Sequence, residues 1–265
     1  MKEYEKIKFA AKLGNGSRVV HDVYSKGTGP VVMIVQELPG IGPETLKLAD
    51  NFVEKGFTVV LPHLFGPLDK INMRGNTLRV MCMRKEFRIF EQGKASPVVD
   101  WLRALCRELT VKHGVEGVAV IGMCLTGNFA ISLMADEAVL AGVASQPSLP
   151  VNNHADLHMS AQDIQQIRTR LDNQEPMLAF RFAEDTYCRA PRFEQLDKVF
   201  NDDRKRIDLQ TLPGKGHAVL TLDFVDELGH PTKQAFEQIV AYFRRALGTK
   251  NGQDMQTANI NSVIN

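Results

Sequence analysis

Three residues in this chain stand where acyl-transfer chemistry would need them: Cys124, Asp185 and His217. Cys124 lies in Val118-Ala119-Val120-Ile121-Gly122-Met123-Cys124-Leu125-Thr126-Gly127, an aliphatic run with glycines two residues before and three after the thiol. That pattern reads as a buried strand turning sharply into a helix. Such a turn lifts the side chain clear of the sheet, and the glycines leave room for crowded backbone. The helix that follows aims free N–H groups and its positive dipole end at the sulfur, which favours thiolate over thiol. The N–H of Leu125 would face an oxyanion as it forms. The segment departs from G-x-S-x-G in carrying Cys as nucleophile and Thr126 in place of the second glycine. Taken alone it fits a small buried thiol equally well, because free cysteine is among the most buried residue types.

The two partners follow in the order acid, then histidine. Met177 to Phe182 reads as a strand and leads into Ala183-Glu184-Asp185-Thr186. Ile207 to Leu212 reads as another and leads into Pro213-Gly214-Lys215-Gly216-His217. Loops at the carboxyl ends of parallel strands are where open α/β sheets build their sites. Glu184 rivals Asp185, because nothing local decides which carboxylate points at the imidazole. None of the other histidines among the seven has a comparable setting. His154 and His158 have an i, i+4 spacing that suits a metal, but no carboxylate-plus-histidine motif surrounds them, so no metal is expected.

The elements needed to hold these residues alternate along the chain. Strands are predicted at Val31 to Val35, Phe57 to Leu61, Val118 to Ile121, Val139 to Ser145, Met177 to Phe182 and Ile207 to Leu212. Helical spacing of apolar residues predicts helices over Pro43 to Gly56, Pro97 to Lys112, Asn128 to Ala135, Ala161 to Leu171, Arg192 to Phe200 and Thr232 to Leu247. This alternation implies an α/β fold with a mostly parallel central sheet covered by helices on both faces. One domain over 1–247 is expected, followed by a polar, mobile tail over 248–265. Phe65 to Ala95 breaks the rhythm, with a helix expected near Met81 to Phe90.

Composition narrows the partners. The 265 residues include 32 basic and 31 acidic side chains, a net charge of +1, which gives no long-range pull toward nucleic acid or anionic lipid. The charged N-terminus does not read as a secretory signal, and the aliphatic runs fall far short of the ~20 residues that span a bilayer. The four cysteines, Cys82, Cys106, Cys124 and Cys188, are scattered, which fits a reducing, cytoplasmic setting better than a disulfide framework.

Four segments together resemble the dienelactone hydrolases (carboxymethylenebutenolidase-like proteins) of the α/β-hydrolase fold. Gln36-Glu37-Leu38-Pro39-Gly40 resembles that family's Q-E-x-x-G, and Gly122-Met123-Cys124-Leu125-Thr126-Gly127 its G-x-C-x-G-G. Asp185-Thr186-Tyr187-Cys188-Arg189-Ala190-Pro191 resembles its D-x-x-x-x-A-P, and Gly216-His217 its terminal G-H. The resemblance implies a Cys124–His217–Asp185 triad that cleaves a small ester or lactone through a thioester, without cofactor. It implies that Glu37 contacts the resting thiol and helps deprotonate it, and that the N–H of Leu38 joins that of Leu125 as oxyanion hole. The resemblance also implies a substrate-binding arginine in the irregular segment, for which Arg84 is the candidate. The family's second arginine is missing from His217-Ala218-Val219-Leu220-Thr221, which predicts weaker capture of a substrate carboxylate. The same thiol would also serve a thioesterase, or a binding or redox-sensing protein without turnover.

Overall fold

The computed structural model describes residues 1–13, 16–38, 40–68, 97–148, 157 and 159–248. Arg84, Cys82, His154, His158, the helix expected near Met81 to Phe90 and the tail beyond Gly248 lie outside the described residues. Among the described residues, eight strands form one sheet: β1 (Glu5–Lys12), β2 (Arg18–Lys26), β3 (Val31–Val35), β4 (Thr58–His63), β5 (Val118–Met123), β6 (Val139–Ser145), β7 (Met177–Phe182) and β8 (Ile207–Leu212). Their spatial order is β1-β2-β4-β3-β5-β6-β7-β8. All pairings from β4 to β8 are parallel, while β1 with β2 and β2 with β4 run antiparallel. This is an α/β-hydrolase fold with a mixed sheet.

The β1–β2 hairpin goes beyond the sequence reading, which starts the sheet at Val31. Both strands are only partly buried, so their polar and apolar residues mix without the unbroken aliphatic signal of the inner strands. β3, in contrast, is buried at every position. Its Val31, Met33 and Val35 join one core layer, and Val32 and Ile34 the other. The period-two alternation of a strand thus feeds both faces.

Among the described residues, six helices cover those faces: α1 (Pro43–Glu54), α2 (Pro97–His113), α3 (Gly127–Leu133), α4 (Ala161–Leu171), α5 (Ala190–Phe200) and α6 (Pro231–Ala246). Leu48, Ala49 and Phe52 of α1 pack on one face with Phe236, Ile239, Val240 and Phe243 of α6. The other face takes Trp101 and Leu105 of α2, Phe129 of α3, Ile167 of α4 and Leu196 of α5. Pro stands at the first turn of α1, α5 and α6, where a missing N–H costs no hydrogen bond.

Strand order fixes where a site can form. β3 lies between β4 and β5, so the chain leaves its carboxyl end in one direction and returns on the other side. Open α/β sheets bind ligands in the crevice at such a switch point. Glu37 and Leu38 follow β3 there, and Cys124 follows β5.

Candidate active site

Cys124 begins a single short 3-10 turn, Cys124–Thr126, that connects β5 to α3. Its φ of 54° is in the left-handed region, a strained conformation for a residue with a side chain. Neighbouring residues force it. A Cβ on Gly122 would sit 2.1 Å from the carbonyl oxygen of Thr126, so only glycine lets the chain fold back so tightly. A Cβ on Gly127 would meet the Cα of Pro147 at 2.8 Å, which brings the start of α3 against the loop after β6.

Thr126, where the resemblance puts a glycine, is fully buried and ties the turn together. Its hydroxyl accepts the N–H of Met123 at 2.9 Å and shares its one hydrogen between the carbonyls of Val35 and Met123, each 3.0 Å away. The bond to Val35 holds the cysteine turn to the end of β3. The extra side chain at this position is accommodated as a cross-link. Leu125 follows directly, at the start of a helical stretch whose first N–H groups have no partner within the helix.

His217 and Asp185 come from the loops after β8 and β7. His217 Nδ1 lies 2.8 Å from Oδ2 and 3.0 Å from Oδ1 of Asp185. Asp185 is buried, and its Oδ1 also accepts the N–H groups of Tyr187 at 2.8 Å and Cys188 at 2.9 Å. Those two backbone bonds aim the carboxylate at the ring. Glu184, the rival acid, is exposed and pairs with Lys215 at 3.5 Å. The histidine loop is fixed in turn by Asp223, whose Oδ2 accepts the N–H groups of His217 and Ala218, each at 2.8 Å.

Burial opposes a charged imidazole at His217, but hydrogen bonds to Asp185 and Cys124, with the charges on both, outweigh it. They push its pKa up to about 10. With Nδ1 engaged by Asp185, Nε2 is the ring position left to exchange a proton with a reacting group.

Glu37 is buried, and its oxygens accept from Thr221 Oγ1 and, at 3.2 Å, from Gln146 Nε2. Burial pushes its carboxyl above the usual range, against the pull of Thr221, His217 and Gln146. Gln36 sets its place: Nε2 donates to the carbonyl of Phe65 at 2.6 Å and Oε1 accepts the N–H of Leu64 at 3.1 Å. The loops after β3 and β4 are thus clamped together beneath Glu37 and Leu38.

Several residues at the site carry no motif. Gln146, fully buried with φ of 39°, bonds Glu37 with its Nε2, and its Oε1 takes Ser145 Oγ and, at 3.4 Å, the N–H of Val219. Ser148 Oγ lies 3.5 Å from His217 Nε2. Tyr187, 61% exposed, places its ring 5.0 Å from that of His217. The one signal that could have marked them is position: all lie on loops at the carboxyl ends of strands.

A family profile for the dienelactone hydrolase family matches residues 19–247. Among solved structures, a protein assigned as a dienelactone hydrolase from Klebsiella pneumoniae superposes with a TM-score of 0.63 at 17% identity, over 90% of this chain and 98% of that one. A promiscuous dienelactone hydrolase-like phosphotriesterase from metagenomic libraries gives 0.63 at 15%, over 92% and 99%. An esterase of Pyrococcus furiosus gives 0.59 at 10%, over 92% of each chain. The search of curated proteins returned no match. With the switch-point site and the family match over most of its length, the chain belongs to the dienelactone hydrolase family and is a hydrolase of ester bonds.

Proposed function

We propose that this protein cleaves a small ester or lactone through a thioester on Cys124. The observation that carries this reading is the Asp185–His217 pair, hydrogen-bonded at 2.8 Å, on the same carboxyl-end loops as a thiol held at a strained turn. Cys124 attacks the carbonyl as thiolate, and the new C–S bond pushes the carbonyl electron pair onto oxygen. N–H groups of Leu38 and Leu125 stabilise that oxyanion. His217 Nε2 protonates the departing alkoxide, leaving the acyl group on sulfur. Water then enters, gives a proton to Nε2 and cleaves the thioester. Asp185 holds the tautomer and orientation of the ring throughout.

Glu37 supports this course as a positioning residue. Its carboxylate joins the loop after β3, which bears Leu38, to Thr221 beyond the histidine. No metal or organic cofactor has a part in these steps. We place the protein in the cytoplasm, where Cys106, Cys124 and Cys188 would stay free thiols. Among the described residues no helix is long and apolar enough to cross a membrane. Cell fractionation tests the location, and recovery mainly from an extracellular or membrane fraction would refute it.

The function is tested by a screen over p-nitrophenyl esters, neutral and carboxylate-bearing lactones, and acyl thioesters, with Cys124→Ala beside the wild type. Turnover of an ester or lactone that Cys124→Ala abolishes is expected, with an acyl adduct on Cys124 by mass spectrometry. Turnover that survives the substitution would overturn the assignment.

A further inference from the structure

The geometry points to Ser148 as the residue that positions the hydrolytic water against the acyl group on Cys124, a role that rests on the thioester reading above. Three contacts define its side chain. Its backbone N–H donates to the carbonyl of Cys124 at 3.1 Å, which fixes Ser148 to the nucleophile's own peptide. Its Oγ donates to the carbonyl of Gln146 at 2.7 Å, so the single hydroxyl hydrogen is committed there. The lone pairs of that oxygen remain, and they lie 3.5 Å from His217 Nε2.

The acyl-enzyme turns this into a water site. Once the leaving group has taken the Nε2 proton, the ring is neutral with its remaining hydrogen on Nδ1 toward Asp185. Nε2 is then an acceptor, and Ser148 Oγ is an acceptor beside it. One water can donate a hydrogen to each and keep its oxygen lone pair for the thioester carbon. As that C–O bond forms, the proton on the Nε2 side passes to the imidazole. The C–S electron pair then returns to sulfur, which restores thiolate beside imidazolium and releases the acid. Acylation asks nothing of this acceptor pair, because there Nε2 acts as donor.

The local fold supports a hydroxyl held this firmly. Ser148 is buried, and the loop that bears it starts from Gln146, whose left-handed backbone is locked by its N–H bond to Phe180 O at 2.7 Å. Pro147 between them is pressed against Gly127 of α3. The chain therefore turns back over Cys124 immediately after β6.

The test is stopped-flow hydrolysis of p-nitrophenyl acetate by the full chain, comparing the wild type with Ser148→Ala and Ser148→Thr. The expected result for Ser148→Ala is an unchanged burst of p-nitrophenolate and a steady state slowed about tenfold, the size of one hydrogen bond. Acyl-Cys124 should accumulate by mass spectrometry, and Ser148→Thr should restore the steady-state rate. Burst and steady state falling together, or neither changing in Ser148→Ala, would overturn the role. A Ser148→Thr variant that stays as slow as Ser148→Ala while melting like the wild type would also do so. Absence of any acyl adduct on Cys124 in the wild type would refute the thioester reading itself and the Ser148 role with it.

Discussion

At the amino end of β8, Arg206 is 3% exposed among three aspartates, Asp172, Asp202 and Asp203, that stay partly in water. It also donates to the carbonyl of Phe200 at 2.8 Å. At the carboxyl end of the neighbouring strand the pattern inverts: Asp185 is the buried group, and its partner, the titratable ring of His217, reaches the surface. One end of the sheet wraps a buried cation in solvated acids. The other buries acids among neutral donors and one titratable ring. Redundant partners at the amino end spread the attraction over several contacts, so charge there serves the fold. At the carboxyl end few partners and deep burial make direction and protonation decisive, which is what proton transfer needs.

Asp185→Asn gives the sharpest break between the two ends. The amide keeps an oxygen for the N–H groups of Tyr187 and Cys188, so the loop should hold. Its NH2 group cannot accept from Nδ1, and the ring is driven into the wrong tautomer. The expected loss in kcat is about 10⁴-fold, with a drop in melting temperature no larger than loss of the Asp185–His217 pair accounts for. Steady-state kinetics and thermal melts check it. A large drop in melting temperature with modest kinetic loss would make Asp185 a structural acid like those around Arg206.

The next effect is in stability against pH. The His217 pKa is raised from 6.5 to about 10. Below 6.5 folded and unfolded chains both carry the proton, and the whole contribution is present. Between 6.5 and about 10 the unfolded chain has released a proton that the folded chain keeps, so stability falls as pH rises. Wild type should therefore lose its melting-temperature advantage over His217→Gln across that window. A difference that stays constant, or widens, would contradict the imidazolium.

Arg206→Met tests the amino end. It removes one guanidinium from three acids and leaves Phe200 O without that donor. Because the acids are solvated, the cost is moderate, about 2 kcal/mol by denaturant unfolding, with kcat/KM unchanged at a temperature where the variant is folded. A kinetic defect in a folded variant would show that the two ends are coupled.

How much of this could be read in the residues depends on how local each signal is. Val31 to Val35 and Val118 to Ile121 are solid aliphatic runs followed by Pro-Gly or Gly-x-Cys turns, so both strands and the loops that hold Glu37 and Cys124 announce themselves. Asp185 and His217 follow equally plain strands. The β1–β2 hairpin does not, because its strands are half exposed and their alternation is weak. Choosing Asp185 over Glu184 takes the backbone bonds from Tyr187 and Cys188, which no spacing reveals. Gln146 and Ser148 matter through a left-handed residue and a chain reversal, Thr221 through a contact with the loop after β3, and Asp223 through bonds inside the histidine loop. None of these has a sequence pattern of its own.

Glu37→Gln is the smallest expected effect and decides what kind of buried acid Glu37 is. The amide oxygen can still accept from Thr221, so that contact survives. The new NH2 group would face Gln146 Nε2, donor against donor, and Gln146 would have to turn its amide over. Doing so withdraws Oε1 from Ser145 and from the N–H of Val219, loosening the histidine loop. One disturbed hydrogen bond of this kind is about 1 kcal/mol, so kcat/KM should fall about fivefold with a small drop in melting temperature. The thiol's rate with iodoacetamide should stay close to the wild type, because the side chains bonded to Glu37 are Thr221 and Gln146. If Glu37 instead takes the thiol's proton directly, the same substitution would slow alkylation of Cys124 along with turnover. Parallel losses would then move Glu37 from the clamp between two loops into the reacting group itself.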